Sequence, residues 1–135
     1  MIVLGSIDNM KKILLILTLM ISFNSYGEWI KYEIKDTGGN TYYIELDTIK
    51  EHGGYVYYWE LIDLLEPTEY GTMSSKAYKQ GDCGVNRYKE LSVIFNKQPM
   101  GEGSGETYNP PDKWRYPTPG SIFGDLLMHA CIYAD

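Results

Sequence analysis

From Trp29 the chain reads WIKYEIK, with Ile30, Tyr32 and Ile34 alternating against Lys31, Glu33 and Lys35. A period of two is the pattern of a half-buried strand. Asp36-Thr37-Gly38-Gly39-Asn40 is turn chemistry, and Tyr42, Ile44 and Leu46 continue the alternation over residues 41–46. Together these predict a hairpin. Asp47-Thr48-Ile49 suggests a single helical turn, ended by His52-Gly53-Gly54. Residues 55–65, YVYYWELIDLL, are apolar on both faces and rich in aromatics. That suits a central strand, and Pro67 stops it. A weaker strand is expected over 69–79, with Gly71 as a possible bulge, and a turn at Gly81-Asp82-Cys83-Gly84. Another strand follows over 87–95, with Leu91, Val93 and Phe95 on one face. Residues 98–111 collect glycine, proline and asparagine, so they read as a long hairpin connection or a mobile loop. Trp114 to Tyr116 is expected as a short last strand.

The period then changes. Pro119-Gly120-Ser121 is a helix entry with Ser121 as the N-cap. Phe123, Leu127, Ala130, Cys131 and Ala134 fall on one helical face, flanked by Ile122 and Leu126. Strands followed by one helix predict an α+β fold: an antiparallel β-sheet of about six strands with a C-terminal α-helix packed on it. A length of 135 residues bounds the chain to one domain.

The start of the chain has a different character. Lys11 and Lys12 precede an apolar run from Ile13 to Phe23, and small residues stand at Ser25 and Gly27. This is the layout of a secretory leader starting at Met10 and cleaved after Gly27. The run is too short for a transmembrane span of roughly twenty residues. The expected division is therefore an upstream extension and signal peptide over 1–27, then a single domain over 28–135 with no transmembrane segment. No cysteine follows the run, so a lipid anchor is not expected.

The full sequence has 12 basic and 18 acidic residues. Without residues 1–27 the net charge is near −7. Such a surface repels nucleic acid and anionic lipid, which excludes both as partners of the bulk surface. Export to an oxidising compartment with two cysteines, Cys83 and Cys131, reads as one disulfide. Closing a loop of 48 residues contributes about 4 kcal/mol in the chain-entropy model.

Catalytic and metal chemistry find little support. The two histidines, His52 and His129, have no cysteine free to join them, and zinc needs three or four ligands. His129 follows Asp125 by four residues and suggests a solvated pair on the outer helical face. Asp63, Glu66 and Glu69 read as solvated carboxylates, not as an acid/base pair. There is no Gly-x-Ser-x-Gly elbow and no phosphate loop; the glycine-rich stretch 101–105 precedes no helix. No enzyme and no cofactor are expected. Tyr42, Tyr57, Tyr58, Trp59 and Trp114 offer a sugar-stacking platform or, more simply, sheet core and cross-strand pairs. Lys76, Lys79, Arg87 and Lys89 concentrate positive charge within fourteen positions of an acidic protein. They read either as a solvated edge defended by lysine or as a docking patch for an acidic protein partner.

One set of short motifs runs in order through the chain: Trp29, Tyr-Ile-Glu-Leu-Asp at 43–47, Val-Tyr-Tyr-Trp-Glu-Leu at 56–61, Ser75-Lys76, Asp82-Cys83 with Arg87, and Pro119-Gly120-Ser121 leading to Cys131. This resembles the surface-adhesin protein E family, small exported proteins of Gram-negative bacteria. The resemblance implies an antiparallel sheet, a C-terminal helix and one disulfide. It implies a non-enzymatic binding module in the periplasm or at the cell surface, with host extracellular matrix proteins such as vitronectin and laminin as partners. The alternative is a periplasmic envelope-maintenance or inhibitor protein without host contact.

Overall fold

The computed structural model describes residues 33–134. The leader, its cleavage site and the first part of the expected 29–35 strand lie outside the described residues.

Seven antiparallel strands form one sheet: β1 (Glu33–Lys35), β2 (Thr41–Ile44), β3 (Lys50–His52), β4 (Tyr55–Asp63), β5 (Ser74–Asp82), β6 (Arg87–Asn96) and β7 (Gly105–Tyr108). The order is β1-β2-β4-β5-β6-β7, with β3 pairing the other end of the β2 side of β4. Helix α1 (Ile122–Ala134) lies across one face. The α+β architecture expected from the pattern is thus what forms, including the central strand and the late helix.

The reasons are local. Asp36 caps its own turn, accepting the Asn40 N–H at 2.9 Å, while Gly39 takes a positive φ of 90° that most side chains resist. Ser121 Oγ accepts the Gly124 N–H at 3.2 Å and opens the helix as its cap. Successive strand side chains alternate between faces. Ile44, Val56 and Tyr58 therefore face the helix, where they pack with Leu46, Leu126, Leu127 and Ala130. Leu126, expected at the flank of the helical face, is fully buried at its centre.

Several expected boundaries move. The single helical turn is a 3-10 turn over Leu46–Thr48, and residues 50–52 form β3 instead of continuing it. The strand expected over 69–79 runs from Ser74 to Asp82. Its irregularity is not at Gly71 but between Tyr78 and Lys79, where Leu91 of β6 is the extra residue. Leu91 therefore leaves the Val93–Phe95 face and is exposed. Within the 98–111 segment sit a 3-10 turn (Pro99–Gly101) and strand β7. The short last strand is reduced to one bridge, Tyr88↔Arg115.

Cys83, in the turn between β5 and β6, is bonded to Cys131 of α1, with Cα atoms 5.9 Å apart. No free cysteine remains among the described residues. The bridge ties the helix to the end of the central hairpin.

Candidate functional site

Register and alternation sort the expected site residues into two environments. On the helix face, Tyr58, Glu60, Lys79 and Tyr88 converge below Phe123. Lys79 forms an ion pair with Glu60, and both side chains are 2% exposed. Its Nζ lies 4.3 Å from the Tyr88 ring centre and 4.1 Å from that of Phe123. Lys79 is thus removed from the expected surface patch: it pairs with the core residue Tyr58 of β4, so alternation along β5 turns its side chain inward, where a carboxylate waits. Burial raises the Glu60 carboxyl above its ordinary range, against the pull of Lys79. Burial, with the Glu60 charge adding, also pushes the Tyr88 phenol up to about 12. The arrangement is a structural ion pair closed to solvent. Tyr42 belongs to the same side, edge-on to Phe123 at 5.8 Å.

No described helix lies on the opposite sheet face. Tyr55, Tyr57 and Trp59 of β4 share it with Lys76, Tyr78 and Gln80 of β5 and with Arg87 and Lys89 of β6, as the cross-strand partners Tyr57↔Gln80, Trp59↔Tyr78 and Gln80↔Lys89 require. Tyr78 stacks on Tyr57 at 6.1 Å and lies 4.9 Å from Trp59. At one end Trp114 crosses over. Arg87 stands 4.1 Å and Lys89 4.6 Å from its ring centre, and Tyr55 lies 5.6 Å away. At the other end the Pro99–Gly101 turn folds over the face. Met100 N–H donates to Asp63 Oδ1 at 2.8 Å and Gly101 N–H to Ser74 Oγ at 2.8 Å.

The outer face therefore brings together three of the four expected basic residues, Lys76, Arg87 and Lys89. It also gathers Tyr57, Trp59 and Trp114 of the expected aromatic set; Tyr42 and Tyr58 lie on the helix side. Sequence spacing missed Tyr55, though its alternation with Tyr57 and Trp59 carried the signal, and Tyr78, which only strand pairing brings to them. Two cations are not free. Arg87 Nε is 2.9 Å from Asp82 and Lys89 Nζ 2.7 Å from Asp112. These pairs hold the cations against Trp114 in fixed positions. The face offers aromatic surface edged by paired charges. Among the described residues no group of three or more His, Cys, Asp or Glu is placed to hold a metal ion. His129 Nδ1 lies 2.8 Å from the Asp125 carbonyl oxygen. No described helix is long and apolar enough to cross a membrane.

Comparison with known proteins bears on this arrangement. A family model described as surface-adhesin protein E matches residues 29–132. Haemophilus influenzae protein E, in its crystal form II, aligns with a TM-score of 0.54 at 17% identity, covering 78% of this chain and 91% of that one. Protein E from non-typeable Haemophilus influenzae aligns with a TM-score of 0.49 at 19% identity, covering 67% of each chain. At such identity the form II likeness speaks to the fold alone. No curated protein sequence matches significantly. On the family match, which spans the whole described sheet, the disulfide and nearly all of the helix, the chain belongs to the surface-adhesin protein E family.

Proposed function

We propose that the protein is a non-enzymatic, exported binding module whose partners are proteins, host extracellular matrix proteins first among them. The leader expected over residues 10–27 supplies the export step, and a position in the periplasm or at the cell surface follows from it. The observation that carries the reading is the uncovered sheet face. Fully covered sheets bury both sides; here one side carries Tyr57, Trp59, Tyr78 and Trp114, each half-buried with no described helix over it, beside Lys76, Arg87 and Lys89. Aromatic and arginine side chains are the usual anchors of protein interfaces. The ion pairs and the disulfide nearby fix the anchors before binding, which lowers the ordering cost of association.

The test is binding of immobilised vitronectin and laminin to the wild type and two variants. The first carries Lys76→Gln, Arg87→Gln and Lys89→Gln; the second is Trp114→Ala. Removing an aromatic anchor that binding would bury is expected to weaken binding by at least 10-fold, on the order of 1.4–2 kcal/mol. The triple variant is expected to bind more slowly and to lose the salt dependence of association. Binding to either matrix protein that neither variant alters, with the fold intact, places the site elsewhere. Absence of any matrix binding by the wild type rejects the host-partner reading.

A further inference from the structure

β7 ends the sheet order, and among the described residues nothing pairs with its outer side. All four of its residues are exposed. The ladder determines which of their backbone groups point outward. Lys97 N–H donates to the Ser104 carbonyl at 3.0 Å. Hydrogen-bonded and non-bonded pairs alternate along an antiparallel ladder. With the register Asn96↔Gly105, Phe95↔Glu106, Ile94↔Thr107 and Val93↔Tyr108, the bonded pairs are Phe95–Glu106 and Val93–Tyr108. Gly105 and Thr107 therefore turn their N–H and C=O groups away from the sheet.

Natural sheets guard such an edge with lysine, proline or a bulge. Residues 105–108 carry none of these, and the pairing with β6 has no register break. Proline appears only past the strand, at Pro110. The side-chain setting is acidic. Glu106 lies on the helix side beside Phe95, at the rim of a groove of ≈ 590 Å³ floored by Ile62, Leu64 and Phe95. Glu69 shares that rim, and neither carboxylate is in an ion pair among the described residues. The rim cation, Lys97, is turned to the Tyr70 carbonyl at 2.7 Å.

We propose that the β7 edge is a strand-addition site for an extended peptide segment, with a lysine or arginine opposite Glu106 and an apolar residue opposite Tyr108. This goes beyond the outer-face reading, because the contacts are ladder bonds at the sheet edge. Outward donors and acceptors give such a strand its backbone partners, and alternate side chains give it specificity. Charge selects the occupant. A second copy that bonds both outward residues, Gly105 to Thr107 and the reverse, sets Glu106 directly against Glu106, with Cβ atoms about 4.5–5.5 Å apart. Like charges so placed repel, whereas a cation at that position attracts. The edge fits a foreign basic strand better than its own copy.

The experiment uses the folded protein and two synthetic heptapeptides, alternating threonine and valine around a central lysine or a central glutamate. Amide NMR shifts and hydrogen exchange are followed with each peptide at up to millimolar concentration. The lysine peptide is expected to shift and protect the Gly105 and Thr107 amides, and the glutamate peptide to bind roughly 5-fold more weakly. Thr107→Pro removes one outward N–H and leaves the β6 ladder whole, so it is expected to abolish binding with an unchanged thermal midpoint. Glu106→Lys is expected to reverse the preference between the peptides, which keeps the test decisive if the proline variant folds poorly. No shift of the two amides with the lysine peptide, or binding that survives Thr107→Pro, overturns the proposal. A concentration-dependent dimer that Thr107→Pro dissolves, without peptide binding, overturns it in favour of a second copy.

Discussion

Glu60 and Lys79 are the costliest pair of side chains to bury in this protein. Both are out of contact with water, and Glu60 Oε1 has no hydrogen-bond partner. Removing two charges from water costs several kcal/mol per ion, recovered only if the pair is close and well surrounded. Here the Tyr88 and Phe123 rings face the ammonium and replace part of its hydration. Lys79→Met alone leaves a buried carboxylate uncompensated and is expected to cost about 3–5 kcal/mol, with Glu60→Leu alone similar. The double variant, which puts two apolar chains in the same space, is expected to recover most of that loss. Urea unfolding of the four proteins measures it; simple addition of the two single losses rejects the coupling.

At the scale of elements, the docking of α1 on the sheet depends on one residue with no side chain. A Cβ on Gly81 would stand 2.5 Å from Leu127 Cδ1 and 2.9 Å from Val56 Cγ2. The helix rests there on bare backbone of β5. Gly81→Ala overpacks this contact and is expected to destabilise by about 1–3 kcal/mol, read as a lowered urea midpoint. The same substitution at Gly54, where nothing lies within 4 Å, meets no steric neighbour but strains a φ of +85°. If Gly81→Ala leaves the midpoint unchanged, the helix is not held tightly against β5. Elements with apolar content were legible: β4 as an apolar, aromatic run, and β6 and α1 by their period. β3 and β7 were not, because Lys50–His52 and Gly105–Tyr108 are exposed throughout and so have no apolar face to show.

On the scale of the whole molecule, the described residues form two layers, a sheet and a helix, joined by one disulfide. Cys83 and Cys131 close a loop of 48 residues around the junction. Cys131→Ser is expected to cost about 2–5 kcal/mol, seen as a lower midpoint in guanidinium unfolding. Reduction of the wild type should reproduce the same midpoint. An unchanged midpoint after either treatment rejects the staple as a source of stability. With one sheet face under the helix and no described helix on the other, the proposed docking places are that second face and the β7 edge.

What the sequence determined alone follows from short-range physics. Alternation, turn glycines, the Ser121 cap and the 3.6-residue period of 122–134 act through neighbours along the chain. The two cysteines pointed to one bridge because the chain offered no other pair. The tertiary structure decided which face each strand side chain occupies, since that depends on register, and one extra residue resets it. Pairing with β4 puts Lys79 on the helix side and Lys76, three positions earlier, on the other, while the bulge at Leu91 sets Arg87 and Lys89 on the face opposite Val93 and Phe95. It also assembled Tyr55, Tyr57, Trp59, Tyr78 and Trp114, far apart in the chain, into one surface. No local pattern carries that information, because cross-strand neighbours are set by pairing and not by spacing.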